Sequence, residues 1–338
     1  MERKLYKILF LLLIFPILLF SESENYTLGN GYKVPALPIY IGGYLSTQYI
    51  NNREPKKDTF QINDAALLGY GSYNRFSYLA ELEVVNLYKK ELDSAKEASS
   101  NTDAHIERLY VDYSINEQYL LRVGKFTSPI GYWNITPINV LRDTTSNPVM
   151  SYIVYPKYTS GLDLSYEHLN DYETKVDVIA QDNDDIDEKY NNIKVDKHYA
   201  LGIKITNELI SFKLNGGYFH SEPTSGSGQD LYYSVASFLF DNDTLKVSGE
   251  IGNQFSNNKT TIPYAMYLQS VYTFHKNHYA IVRLESYKEN DNLQNIKDSA
   301  SIFAYTYRPI YPIAIKAEYQ VHSYSELNQF MASFSVLF

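Results

Sequence analysis

The sequence contains no cysteine and a single tryptophan. Without cysteine there is no disulfide framework, no thiolate nucleophile and no lipid-anchored cysteine behind a leader. After residue 20 no segment approaches 18 unbroken apolar residues, so no later stretch reads as a transmembrane helix. Positive charge is also short: 30 Lys and Arg face 39 Asp and Glu, a formal net charge of −9. An acidic balance without basic clusters argues against nucleic-acid binding. What the chain has in excess is tyrosine, 34 residues of it, with 16 Phe. Tyr joins an apolar ring to a polar tip and suits both membrane–water interfaces and cross-strand pairing.

The N-terminus reads as an address. "MERKLYK" is basic, "ILFLLLIFPILLF" is a 13-residue apolar run, and "SES" offers small residues for cleavage. This pattern predicts a cleaved signal peptide over 1–23, with an uncleaved anchor as the other reading of the same run. Removing Glu2, Arg3, Lys4, Lys7 and Glu22 takes away a net +1 and leaves a mature chain of about −10. The exported chain is then periplasmic, secreted or outer-membrane.

From residue 37 to 338 one unit recurs, roughly ten residues of alternation followed by a turn or a loop. In "IAIKAEYQVHS", Ile313, Ile315, Ala317, Tyr319 and Val321 share one face and Lys316, Glu318, Gln320 and His322 the other. A face with Lys, Glu and His side by side is wet. Short connections at 71–74, 116–118, 170–171, 207–208, 241–243, 275–277 and 308–312 alternate with longer polar ones. The longer ones fall near 51–57, 89–104, 128–160, 181–196, 221–228, 256–260, 289–297 and 324–328. Seven short and eight long connections imply sixteen strands, with 14 or 18 as the neighbouring even counts. An even number with strict short–long alternation predicts an all-β transmembrane antiparallel barrel with both termini in the periplasm, behind a short lead-in at 24–36. A soluble β-sandwich also alternates, but its strands average about five or six residues.

The chain ends "QFMASFSVLF", with Phe330, Phe334, Val336 and Phe338 on one face. This strand resembles the terminal signature of Gram-negative outer-membrane proteins, read by the barrel-assembly machinery, and Phe334, Val336 and Phe338 would carry that signal. The stretch "LRVGKFTSPIGYWNITPINVLRDTTSNPVMSYIVYPKYTSGLDLSY" (121–166) is similar to a region of porin-like outer-membrane proteins, phosphate-selective porins and their uncharacterised relatives among them. There a strand ending in Gly-Lys/Arg-Phe runs into a Pro-Gly-aromatic-Asn loop. The resemblance implies a location in the outer membrane among lipid and lipopolysaccharide, with a homotrimer as the open question of assembly. A phosphate-selective relative would concentrate arginine in its lumen. Here the lumen-side basic residues are few, mostly lysine, and matched by acids.

The 128–160 loop is the longest irregular segment, and loops of this length are usually functional or disordered. Pro129, Tyr132, Trp133, Asn134, Arg142, Asp143 and Lys157 lie in it, and it is too aromatic for disorder. Folded into the lumen it would narrow a channel; packing on outer loops or a neighbouring subunit is the other reading. Alternation assigns Glu81, Glu83, Arg108, Asp112, Arg122, Asp163, Glu167, Lys175 and Asp177 to the lumen. It adds Lys204, Lys213, Lys246, Glu250, Arg283, Glu285, Lys316 and Glu318. Eight basic and nine acidic side chains make the wall nearly neutral, so a charge bias would come from the mouth. Asp182, Asp184, Asp185 and Asp187 form such an acidic vestibule. A calcium loop would need Gly at its sixth position and Glu at its twelfth; Asp187 and Ile193 stand there, which leaves a solvated acidic loop or loose divalent binding.

Catalysis and cofactors find no foothold. The seven histidines (His105, His168, His198, His220, His275, His278, His322) are scattered and none sits in a nucleophile signature. No metal cluster, phosphate loop or dinucleotide fingerprint occurs, so no cofactor is expected. The sequence therefore predicts a non-enzymatic porin for small hydrophilic solutes and ions, weakly cation-preferring. A substrate-selective channel for an anion or organic acid, or a surface scaffold or adhesin barrel, are the alternatives.

Overall fold

A computed structural model describes residues 25–338 apart from 55, 94–97, 170–171, 223–227, 258 and 291–294. The predicted signal peptide and the 170–171 turn therefore lie outside the described residues. A small hairpin, Tyr26–Thr27 with Gly31–Lys33, leads in. Sixteen barrel strands follow: β1 (Ile39–Asn52), β2 (Lys57–Tyr73), β3 (Phe76–Glu91), β4 (Asp103–Ser114), β5 (Tyr119–Thr127), β6 (Tyr158–Leu169), β7 (Glu173–Asp182) and β8 (Val195–Thr206). The second half comprises β9 (Ile210–Ser221), β10 (Gln229–Asp241), β11 (Leu245–Phe255), β12 (Thr260–His275), β13 (His278–Asn290), β14 (Asn295–Tyr307), β15 (Ile313–His322) and β16 (Gln329–Leu337). Each pairs antiparallel with the next, and β16 pairs with β1, from Gln329 on Asn52 to Leu337 on Tyr44. The sheet is a closed sixteen-strand antiparallel barrel, the count that the alternating connections imply. Closure leaves the barrel no open edge, which a sheet in hydrocarbon requires. Strands run from nine to seventeen residues, so several extend beyond the length that a tilted crossing needs.

The two faces of this sheet are inverted relative to a soluble protein. Leu67, Leu162, Leu201, Leu214, Ile251, Leu284 and Phe303 are exposed on the outer wall, while Glu81, Asp112, Asp177, Lys213, Arg283 and Lys316 are buried within. A surface this apolar has hydrocarbon as its natural solvent. Tyr and Phe band it at both ends. Tyr199, Tyr218, Tyr232 and Phe255 pair across four consecutive strands, with ring centroids 5.3–6.2 Å apart. Near the short turns, Phe76 meets Tyr113 and Tyr119 meets Tyr166, each at 4.9 Å. These are interface belts, the setting that suits a ring with a polar tip. The short turns use Asn74, Asp243 and Asn277 in the left-handed region, as tight hairpins demand.

The terminal strand departs from expectation at its last residue. Phe334 is exposed on the outer wall, but Phe338 is buried, so its ring does not face lipid. Its backbone exchanges both hydrogen bonds with Gly43, at 2.7 and 2.8 Å. A Cβ on Gly43 would stand 2.9 Å from the ring and 2.3 Å from the carbonyl oxygen of Ala66. The glycine thus leaves the space that the terminal phenyl occupies, and the barrel seam closes around it.

Candidate functional site

The loop between β5 and β6 runs from 128 to 157, three residues shorter than the alternation suggests because β6 starts at Tyr158. Its neck is closed by Asn134, whose amide donates to the carbonyls of Ser128 at 2.8 Å and Lys157 at 3.0 Å. Beyond the neck it reaches the inner faces of β9 to β15. Gly131 has a φ of +65°, and a Cβ there would fall 2.1 Å from Glu250 Oε2; only glycine lets the chain approach this wall. The backbone N–H groups of Tyr132 and Trp133 then both donate to Glu250 Oε1 at 2.8 Å, joined by the Tyr267 hydroxyl at 2.7 Å. Asn215 accepts from the Gly131 N–H and donates to the Pro129 carbonyl. The Tyr132 hydroxyl meets Ser211 Oγ at 2.6 Å, and burial raises this phenol above its ordinary range.

Further along, the same device recurs on the adjoining wall, at β13 and β15. Glu318 accepts from the N–H groups of Thr145 and Ser146. Glu285 accepts from Val149 N–H at 3.0 Å. Arg283 donates to Thr144 Oγ1, Ser146 Oγ and the Ser146 carbonyl, and pairs with Glu285 at 2.6 Å. Lys316 donates to the carbonyls of Asn139 and Thr144, and Lys246 pairs with Asp143 at 2.7 Å. A loop without regular structure must place its backbone groups somewhere, and here strand side chains take them. This corrects the expectation that these lumen charges line water: Glu250, Arg283, Glu285, Lys316 and Glu318, with Lys213 on the Gly131 carbonyl, anchor the loop.

One side of the interior is apolar. Ile130, Met150, Val154 and Tyr155 of the loop pack with Phe126, Ile179, Phe219, Leu231, Tyr233, Val235, Ile262 and Ala265 of the wall. Inside this core runs a chain of hydrogen bonds, Ser128 Oγ to Thr159 Oγ1 to His198 Nδ1, and His198 Nε2 to the Tyr233 hydroxyl. Ser128, Thr159 and His198 are each 0% exposed, so no substrate reaches this serine or its histidine.

The acidic vestibule is corrected too. Asp182 and Asp184 are exposed, but Asp185 is buried in an ion pair with Lys125 at 2.7 Å. Asp187 accepts from the Ile106 N–H and faces His105. Asn191 and Asn192 next to them clasp the loop's returning arm, through Tyr152, Tyr155, Lys157 and Tyr158. Spacing in sequence cannot show that half of these acids already have partners.

Between the loop and β1–β4 lies a polar cavity of about 450 Å³. Tyr44, Asn63, Asp64, Glu83 and Glu107 line its wall side, and Asn139, Arg142 and Lys157 its loop side. Glu107 accepts from the hydroxyls of Tyr44 and Tyr158, and is 2% exposed. Strict alternation misses both Glu107 and Asp64. The β3–β4 register slips between Glu81 and Leu82, and the bulge turns Glu107 and Arg108 inward together. Neighbouring slips beside Asp64 fall in the β1–β2 and β2–β3 pairings. Three adjacent strand pairs thus bulge beside one cavity, where a bulge re-aims side chains.

Elsewhere in the lumen several charges are paired. Arg108 sits against Glu81, Arg122 against Asp112, Lys175 against Asp177 and Lys204 against Glu173. Asp163 is buried beside Arg122, to which it is opposite in register, and Glu167 is opposite Lys175. Arg142 and Lys157 have no carboxylate within ion-pair distance among the described residues. Arg142 donates to the Thr136 carbonyl, and the Lys157 ammonium lies 4.7 Å from the Tyr158 ring centre.

No protein-family profile and no curated protein matches the sequence. Solved structures match over nearly the whole chain. OmpF of Salmonella typhi superposes with a TM-score of 0.62 at 11% identity, covering 89% of this chain and 97% of that one. The anion-selective porin of Comamonas acidovorans gives 0.60 at 12%, covering 89% and 99%. The outer-membrane channel DcaP of Acinetobacter baumannii gives 0.56 at 14%, covering 91% and 100%. With its sixteen strands, apolar outer wall and inward loop, the chain has the fold of the outer-membrane porins.

Proposed function

We propose that the protein is a non-enzymatic outer-membrane porin through which small hydrophilic solutes and ions diffuse down their gradients. The observation that carries this reading is the inversion of the sheet, charged within and apolar without, around a loop that leaves a polar cavity of about 450 Å³. Such a barrel supplies a wet path through hydrocarbon. The loop bearing Pro129, Tyr132, Trp133, Asn134, Arg142, Asp143 and Lys157 sets the narrowest passage. Export uses the signal peptide at 1–23 and the Sec pathway, and the terminal Phe334, Val336 and Phe338 present the strand to the assembly machinery. Lipid and lipopolysaccharide meet the outer wall. A homotrimer is the assembly this reading favours, since a trimeric form is among the structures with this fold.

A weak cation preference belongs to the same proposal, moved from the mouth to the cavity. Asp64, Glu83 and Glu107 in its lining exceed Arg142 and Lys157 by a single formal charge. Purified protein added to a planar bilayer should give stepwise conductance increments. Absence of increments from folded, heat-modifiable protein would sink the channel reading.

A further inference from the structure

This inference rests on the channel reading and sharpens it. The 450 Å³ cavity sets basic groups without an ion-pair partner on its loop side against the carboxyl groups of Asp64, Glu83 and Glu107 on its wall side. Arg142 and Lys157 on the loop side lack a carboxylate partner among the described residues, while Glu83 Oε2 on the wall side is buried with no hydrogen-bond donor. Asn63 Oδ1 and Asn139 Oδ1, in the same lining, are also acceptors without donors among the described residues. Partly buried charges and acceptors left this way favour a solute that supplies what is missing. Among the described residues no group of acids and histidines is placed to hold a metal ion.

We propose that this cavity is a selectivity site for zwitterionic solutes of the amino-acid type. The solute's carboxylate turns to Arg142 and Lys157, and its ammonium to Glu83 and the Asn63 carbonyl. A simple anion gains on the loop side and is repelled by the wall; a simple cation meets the reverse. A neutral solute satisfies the orphan acceptors but neither charge. Only a solute with both ends charged gains from both sides at once.

The test compares residence times in single channels, read as interruptions of the current, for glycine, β-alanine and 4-aminobutanoate against butanoate and butylammonium. At least one zwitterion should reside about tenfold longer than either singly charged solute, and Glu83→Gln and Lys157→Met should each reduce it to the singly charged level. Equal residence for all classes in the unaltered protein would overturn the inference while leaving the channel intact. Failure to conduct at all would take down both readings. The comparison among solutes needs no variant, so a misfolded mutant cannot shelter the idea.

Discussion

Glu250→Ala tests whether the loop is held by strand carboxylates. Glu250 is 3% exposed and accepts three hydrogen bonds on one oxygen, from Tyr132 N–H, Trp133 N–H and the Tyr267 hydroxyl. Hydrogen bonds to a charged group contribute about 1.5–3 kcal/mol each, so three could total well over 4 kcal/mol if every donor were stranded. Lumen water can rehydrate the two backbone donors once the loop lifts, so roughly 3 kcal/mol of docking free energy is the better figure. Glu318, Glu285 and Lys316 still hold the far part of the loop, so only the segment around 131–136 comes free. The barrel ladder is untouched, and heat-modifiability should persist. Single-channel recordings should show a higher mean conductance and added current noise, and protease from the outer side should cut near Tyr132. A folded Glu250→Ala barrel with unchanged conductance, noise and cleavage would refute the anchoring argument.

The other expectations are briefer. Trp133→Ala should loosen the loop by about 3 kcal/mol, because its buried ring packs on Tyr267 and lies 5.3 Å from the Arg283 guanidinium; solute-exclusion limits should rise. Asp185→Asn strands Lys125, whose side chain is 0% exposed, and should cost about 3–5 kcal/mol of local stability, read as faster trypsin cleavage within 183–194. Phe338→Ser and Gly43→Val should each lower the amount of heat-modifiable barrel in membranes, whereas altered conductance at full abundance would contradict the seam argument. Reversal potentials across a KCl gradient should show a weak cation preference, mostly removed by Glu83→Gln with Asp64→Asn and little altered by Asp182→Asn with Asp184→Asn; a clear anion preference would count against it.

The strand plan was legible because a membrane barrel writes itself in period two. Lys316, Gln320 and Ser333 point inward and Ile315, Tyr319 and Phe334 outward, as their spacing demands. The paired glycines at 42–43 seat the last phenylalanine, a partner nearly three hundred residues away that no local pattern announces. Where alternation breaks, the sequence falls silent. Glu107 stands one residue from Arg108 and both face inward, which no periodic rule permits without knowledge of the bulge. The interior core was hidden for a related reason. Leu231, Tyr233 and Val235 occupy positions that the rule reserves for wet residues, because the wall there meets a loop and not water.

Charge carries the deeper lesson. A count of lumen charges, eight basic and nine acidic on the alternation rule, treats each as a contributor to the field that a passing ion feels. Charge held against an opposite charge contributes mainly a short-ranged field, whereas charge hydrogen-bonded by backbone dipoles keeps its sign but has its donors and acceptors already engaged. The ion responds chiefly to what is left unmatched. Glu250, Glu285 and Glu318 are satisfied by loop N–H groups, and Lys213 and Lys316 by loop carbonyls, so the loop's own backbone engages the wall it crosses. Groups left free of the loop's backbone face the cavity between the loop and β1–β4. Loop position and the groups open to a solute are therefore one consequence of one arrangement: the side chains that fix the loop have their hydrogen-bonding groups engaged, and those it leaves alone can meet a solute directly.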